Sequence, residues 1–175
     1  HDAARAWHRP GPVTVVTKCC AYCRPMTFTF ESTTDDVLDG VDLSGRRVVI
    51  TGAASGLGEE STRALAAHGA SILMLARDPQ KNAGAAERVR AAVPDSDVSL
   101  DTVDLADLAS VRAFAGRYLE SGRPIDVLMN NAGVMACPFG HTTDGFEMQF
   151  GTNHLGHFEL TRLLQPAVTA GVDPR

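Results

Sequence analysis

Val48-Val49-Ile50-Thr51-Gly52-Ala53-Ala54-Ser55-Gly56-Leu57-Gly58 decides how the rest of the chain is read, because an apolar run passes through spaced glycines into the helix-like stretch Glu59 to His68. Strand, glycine turn and helix together build a seat for a phosphate. Glycine turns the backbone sharply, brings main-chain N–H groups against a pyrophosphate with no Cβ between, and lets the helix pack close to the sheet. The helix N-terminus then faces the anion with unpaired N–H groups and the positive end of its dipole. Such a turn also occurs as a plain strand-to-helix connection that binds nothing, so its meaning depends on the residues that end the other strands.

From Arg46 onward short apolar runs alternate with longer helical ones, the pattern of βαβ units and a parallel sheet. The runs predict strands over Arg46–Thr51, Ser71–Ala76, Val98–Val103 and Ile125–Asn130, and helices near Leu57–His68, Pro79–Ala92 and Leu108–Ser121. Gly69 and Gly122 close the first and third helices as C′ residues. Right-handed crossovers place the strands in the order third, second, first, fourth, a doubly wound parallel α/β sheet of the Rossmann type. A further helical segment runs from about Asp144 to Ala170, and no further strand follows it before Arg175. The fourth strand is then expected to be a bare sheet edge, with Phe146, Phe150, Leu155, Phe158, Leu160, Leu163 and Leu164 short of partner surface.

The 175 residues, 44% of them hydrophobic, bury one good core. Open α/β domains run to roughly 200–250 residues as a single unit, so the chain reads as one domain, incomplete at its C-terminus. Its net charge of −5 hides an asymmetry: residues 1–25 carry four basic and one acidic side chain, residues 26–175 twelve and twenty. An acidic body argues against nucleic acid as a partner. No apolar run approaches the roughly 18 residues of a membrane span, and residues 1–25 lack the apolar core of a signal peptide, so the expected location is cytoplasmic.

Residues 1–25 have no helical or strand periodicity and hold Cys19, Cys20 and Cys23 beside Pro10, Gly11, Pro12 and Pro25. They are expected to be a non-native or disordered extension, with Met26 as the natural start; a genuine targeting extension is the competing reading. Residues 26–45 form an acidic lead-in, and residues 46–175 the nucleotide-binding domain. Cys20-x-x-Cys23 has no second pair and no His at finger spacing, which disfavours a metal site.

In this fold, ligands lie beyond the carboxyl ends of the strands. After strand two comes Ala76-Arg77-Asp78, where an acid would bind the ribose 2′-hydroxyl of NAD. Ala76 offers no carboxylate, and Arg77 can fork onto a 2′-phosphate, which favours NADP(H) with NAD(H) as second choice. The plainer alternative makes Arg77 a surface cation paired with Asp78. After strand three comes Asp104-Leu105, where an Asp can accept from an adenine amino group. After strand four comes Asn130-Asn131-Ala132-Gly133, small enough to admit a flat ring. With the glycine turn, these form one ligand-shaped edge.

Thr51-Gly52-x-x-x-Gly56-x-Gly58, Asp104-Leu105, Asn130-Asn131-Ala132-Gly133 and Asn153 occur in the order in which the short-chain dehydrogenases/reductases carry their motifs, and the chain resembles that family over about residues 43–170. The wording of Asn131–Met135, Thr143–Glu147 and Thr152–Phe158 looks most like its branch of retinol dehydrogenases and WW-domain oxidoreductase-like proteins. The resemblance implies a cofactor site of Gly52, Ser55, Gly56, Leu57, Gly58, Arg77, Asp104, Leu105, Asn131, Ala132 and Gly133. It also implies hydride transfer between nicotinamide and a small-molecule carbonyl or alcohol, and a possible homo-oligomer at full length. The family's catalytic set is a Tyr, a Lys four residues later, a Ser, and an Asn anchoring a water in the proton path. A phenol with a pKa of about 10 needs the neighbouring cation to work near neutral pH.

Asn153 matches the Asn, and the other three have no counterpart. The lysines are Lys18 and Lys81, preceded four residues earlier by Thr14 and Arg77, so no Tyr-x-x-x-Lys exists. Tyr22 and Tyr118 stand elsewhere than the family's base. The chain therefore reads as the cofactor half of a reductase, inactive alone. The rival reading is a catalytically silent nucleotide-binding or interaction protein. His154 and His157, three apart on one helix, lack a carboxylate or Cys at matching spacing and read as structural rather than metal-binding.

Overall fold

The computed structural model describes Val13–Thr14 and residues 27–175, and the chain divides into two units after Asp39. In the first unit, β1 (Val13–Thr14) pairs antiparallel with β2 (Thr27–Phe28). A short helix α1 (Thr34–Leu38) follows, opened by a capping box in which the Thr33 hydroxyl and the Asp36 carboxylate exchange backbone bonds. The expected lead-in thus contains a helix, which an Asp-rich stretch forms because acids suit a first turn. The three clustered cysteines, Met26 and Tyr22 lie outside the described residues.

The second unit is built on a parallel sheet of β3 (Arg47–Thr51), β4 (Ser71–Ala76), β5 (Val98–Thr102) and β6 (Val127–Met129) in the order β5-β4-β3-β6. Alternate residues of β3 and β4 leave opposite faces. Val48, Ile50, Ile72 and Met74 pack beneath α2 (Gly56–Ala67) and α3 (Pro79–Ala92), with Ala66, Ala85, Ala86 and Val89 between. Val49, Leu73 and Leu75 face α4 (Leu108–Glu120) and the last helix, against Val111, Phe114, Leu160 and Leu164. Burial on both faces is why these strands read as continuous apolar runs.

β6 is shorter than the expected Ile125–Asn130. Its start is held outside the ladder by the buried Asp126, whose carboxylate accepts from Arg47 N at 2.8 Å and Val172 N at 2.7 Å. Burial opposes ionisation there, but these N–H groups and the Arg46 guanidinium outweigh it and hold the carboxyl below its usual range. At the other end Asn131 N turns back to Met129 O at 3.0 Å, closing the strand. The outer side of β6 is not bare: Arg175 N donates to Asp126 O at 2.8 Å and Leu128 N donates to Arg175 O at 3.1 Å.

The last helical segment begins later than Asp144. Gly145, with φ of 84°, breaks the approach, Glu147 caps the helix start by accepting from Gln149 N and Phe150 N, and Asp144 instead accepts from Leu108 N at the start of α4. The helix comprises α5 (Met148–Phe150), a π-helical turn (Gly151–Gly156) and α6 (His157–Thr169). Leu160 and Leu164 are fully buried against α4, which corrects the expectation that they are short of partner surface. Phe146, Phe150 and Phe158 remain exposed.

Candidate cofactor-binding site

A cleft of about 480 Å³ lies beyond the carboxyl ends of all four strands. That is large enough for an organic cofactor. Gly52, Ser55, Leu57, Gly58, Arg77, Asp104, Leu105, Asn131, Ala132 and Gly133 line it, whereas Gly56 and Asn153 do not.

The three glycines are required for different reasons. A Cβ on Gly52 would stand 2.7 Å from Ala132 Cα, and one on Gly58 would stand 2.3 Å from Gly52 O and 2.6 Å from Asn131 Nδ2. These two permit the protein's own loops to close on each other. Gly56 meets nothing within 4 Å and has φ of +56°, so it supplies the left-handed turn and leaves open space where a Cβ would intrude. Ser55, the N-cap of α2, makes no side-chain capping bond. An anion is thereby offered the first-turn N–H groups, and with the open space at Gly56 the residues fit a dinucleotide pyrophosphate.

At the end of β4, Ala76 is buried and Arg77 exposed. Asp78 is not Arg77's ion-pair partner: its Oδ1 caps α3, accepting from Gln80 N and Lys81 N at 3.0 Å each. Among the described residues Arg77 makes no salt bridge, and it shares the cleft wall with Lys81. Lys81 is absent from the site residues expected from sequence. Its signal is position, since it stands in the first turn of the helix that follows the end of the second strand. At the turn after β5, Asp104 Oδ1 accepts from Ala106 N at 2.9 Å and Asp104 N donates to Ser110 Oγ at 3.0 Å. Leu105 is pressed against the last helix, where a Cβ on Gly156 would lie 2.4 Å from Leu105 O.

The Asn130–Val134 segment is held from below and from the side. Thr51 Oγ1, fully buried, accepts from Asn131 N and Ala132 N at 3.0 Å each. Asn131 Nδ2 donates to Thr51 O at 3.0 Å and Gly52 O at 3.3 Å, so its amide nitrogen fastens the loop to the glycine turn. Asn153 grips Val134 at both backbone atoms, Oδ1 accepting from Val134 N and Nδ2 donating to Val134 O at 2.8 Å each. Its side chain is therefore committed to shaping the loop.

The two histidines part company in space. His154 stacks on Phe150, ring centroids 5.2 Å apart, while His157 is buried between Thr51 and Asn153. Among the described residues no three His, Cys, Asp or Glu side chains are grouped to hold a metal ion. Tyr118 packs in the core beside Phe114 and donates to Pro124 O at 3.2 Å. Burial pushes its phenol up, opposite to what a base needs.

Taken together, a doubly wound sheet, an uncapped helix start and strand-end residues around one cleft define a Rossmann-type α/β domain whose cleft fits a dinucleotide. The sequence model described as short chain dehydrogenase matches residues 46–172, and this chain belongs to that family, on its retinol dehydrogenase-like branch. It is 50% identical to mouse (Mus musculus) retinol dehydrogenase 12 over 124 residues, covering 71% of this chain and 39% of that protein. The chain thus spans well under half the length of this curated relative. Among solved structures it is similar to an uncharacterised Mycobacterium paratuberculosis protein, with 48% identity and TM-score 0.64 over 72% of this chain and 44% of that one. It is also similar to a metagenomic short-chain oxidoreductase in complex with NADP, with 32% identity and TM-score 0.62 over 73% of this chain and 58% of the other. Among the described residues no helix is long and apolar enough to cross a membrane.

Proposed function

We propose that this chain is the cofactor-binding portion of an oxidoreductase that prefers NADP(H) over NAD(H) and acts on a small alcohol or carbonyl compound. The carrying observation is that Arg77 and Lys81 line the same cleft as the uncapped start of α2, with no carboxylate at Ala76 to repel a phosphate. Bound there, the cofactor supplies the hydride donor or acceptor. Ser55, Leu57 and Gly58 would hold its pyrophosphate and Arg77 its 2′-phosphate, while Asp104 and Leu105 would bound the adenine. Asn131, Ala132 and Gly133 would present a backbone wall to the nicotinamide. Asn153 shapes that wall and would be the residue that anchors a water of the proton path.

The NADP complex of a similar oxidoreductase supports the choice of cofactor, and a relative named for retinol supports an alcohol–carbonyl couple. With no Tyr-x-x-x-Lys in the sequence, the 175 residues by themselves are proposed to be inactive. Cytoplasmic residence belongs to the same reading, and fractionation of the full-length protein tests it. The deciding experiment titrates NADPH and NADH into wild type and Arg77→Ala. Tighter NADPH binding, selectively weakened roughly ten- to hundredfold in the variant, is expected. Equal wild-type affinities, or equal losses for both cofactors, would sink the preference.

A further inference from the structure

The ring of His157 sits where α6 begins, and none of the roles in cofactor binding gives it a task. Nδ1 lies 2.9 Å from Asn153 O and Nε2 lies 2.9 Å from Thr51 Oγ1. A carbonyl oxygen only accepts, so Nδ1 carries the hydrogen, and in a neutral ring Nε2 is then a bare acceptor. Thr51 must donate to it. The other acceptor near that hydroxyl, Met129 O, is more distant at 3.4 Å. With its one hydrogen given to His157, Thr51 Oγ1 has two lone pairs for the two N–H groups that approach it, those of Asn131 and Ala132.

The other protonation states break this arrangement. An Nε2–H tautomer would turn the Nδ1 lone pair onto Asn153 O and bring a third donor to an oxygen with two lone pairs; an imidazolium would bring the same third donor. Burial pushes the His157 pKa down, against a weaker upward pull from Asn153 O, and so keeps the ring neutral.

We infer that His157, as the neutral Nδ1–H tautomer, is a positioning residue that directs the Thr51 hydroxyl and so fixes the Asn131–Ala132 backbone along the cofactor cleft. The π-helical turn makes this work from a single residue: Asn153 offers its carbonyl to His157 and its side chain to Val134. One helix thus holds both ends of the loop. A shift of the Asn131–Ala132 backbone on loss of His157 would reach the glycine turn as well, because Gly52 packs on Ala132 and Asn131 Nδ2 bonds Thr51 O. The consequence for binding rests on the cofactor reading of the cleft, whereas the tautomer rests on hydrogen-bond geometry alone.

Two measurements on the intact protein test it. Nitrogen-15 NMR of wild type reads the tautomer directly: a protonated Nδ1 and a bare Nε2 are expected, and a protonated Nε2 or a ring averaging between forms overturns the inference. Calorimetric titration of NADPH and adenosine 2′,5′-bisphosphate then compares wild type with His157→Leu, His157→Gln, Thr51→Val and the Thr51→Val/His157→Leu double variant. Gln carries a carbonyl at the ε position and can still accept from Thr51, so it should stay close to wild type while Leu binds about tenfold more weakly. On the Thr51→Val background His157→Leu should cost nothing further, because the relay is already cut. Equal binding by Leu and Gln, or additive losses in the double variant, overturns the relay. If wild type binds neither probe, the cofactor reading itself fails and the effect on binding falls with it, while the NMR spectrum still decides the tautomer. Should the variants not fold, the wild-type spectrum alone decides.

Discussion

Two helices start side by side above adjacent strands, α2 after β3 and α3 after β4, and they end their orphaned N–H groups in opposite ways. At α3, Asp78 bends its carboxylate onto Gln80 N and Lys81 N. α4 does the same with Asp107, which accepts from Ala109 N at 2.8 Å and Ser110 N at 3.3 Å. At α2, Ser55 is the N-cap by position and makes no such bond. Ser is a good capping residue, so the empty cap is a matter of backbone course rather than residue type. The extended Ser55 followed by the left-handed Gly56 turns the helix start toward the cleft. A self-capped start is a finished structural element, whereas an uncapped start facing a cleft is completed by an anion.

The largest effect comes from rebuilding the α2 start itself. Gly58→Val should abolish NADPH binding and also lower the melting temperature by several degrees, because its Cβ would press on the Gly52 carbonyl, which is backbone and yields little. Gly56→Val should abolish binding with a smaller stability loss of about 1–2 kcal/mol, since the cost there is the left-handed φ rather than a clash. Calorimetry and circular dichroism melts separate the two; equal melting temperatures would contradict the distinct roles given to these glycines.

Ser55→Asp would set a carboxylate at the α2 start without changing the backbone course that leaves it uncapped. Its charge should weaken NADPH and NADH alike by at least about tenfold through like-charge repulsion, while interaction with the helix dipole raises the melting temperature by at most about 2 °C. Unchanged affinity would mean that the pyrophosphate is not seated on α2.

Lys81→Ala tests the α3 side of the same cleft. An exposed cation near a phosphate contributes modestly, so NADPH affinity should fall about two- to fivefold with NADH unaffected. A loss common to both cofactors would move Lys81 away from the 2′-phosphate.

The smallest effect on binding is expected at Asp107→Ala, which removes the α4 cap, a side chain that does not itself line the cleft although its backbone N–H bonds Asp104 O. Stability should drop by about 1 kcal/mol in denaturant unfolding, with cofactor affinity unchanged. A parallel drop in affinity would show that α4 and the cleft are coupled more tightly than their contacts imply.

The alternation of apolar runs and helical stretches carried the sheet order, because the central strands β3 and β4 bury both faces and each crossover has one hand. β4 begins and ends where its apolar run does, at Ser71 and Ala76. β6 does not: Asp126 and Asn131 took its ends into bonds with Arg47, Val172 and Met129, partners far away or turned back in ways that composition does not announce. The last helix was legible as apolar and helical, but its π-helical turn was not, since Gly151 and Gly156 are placed there by contacts with Thr142 and Leu105.

By itself, then, the sequence determined the doubly wound order, the glycine turn and the strand-end residues that meet at one cleft, because periodicity and local backbone preference act over a few neighbours. Only the tertiary structure decided which helix start stays uncapped, that Asp78 serves α3 rather than Arg77, and that Thr51, Asn153 and His157 join in one relay. Those outcomes depend on which donors and acceptors are brought within hydrogen-bond reach across more than a hundred residues of chain, as between Thr51 and His157, and burial then obliges each of them to find a partner.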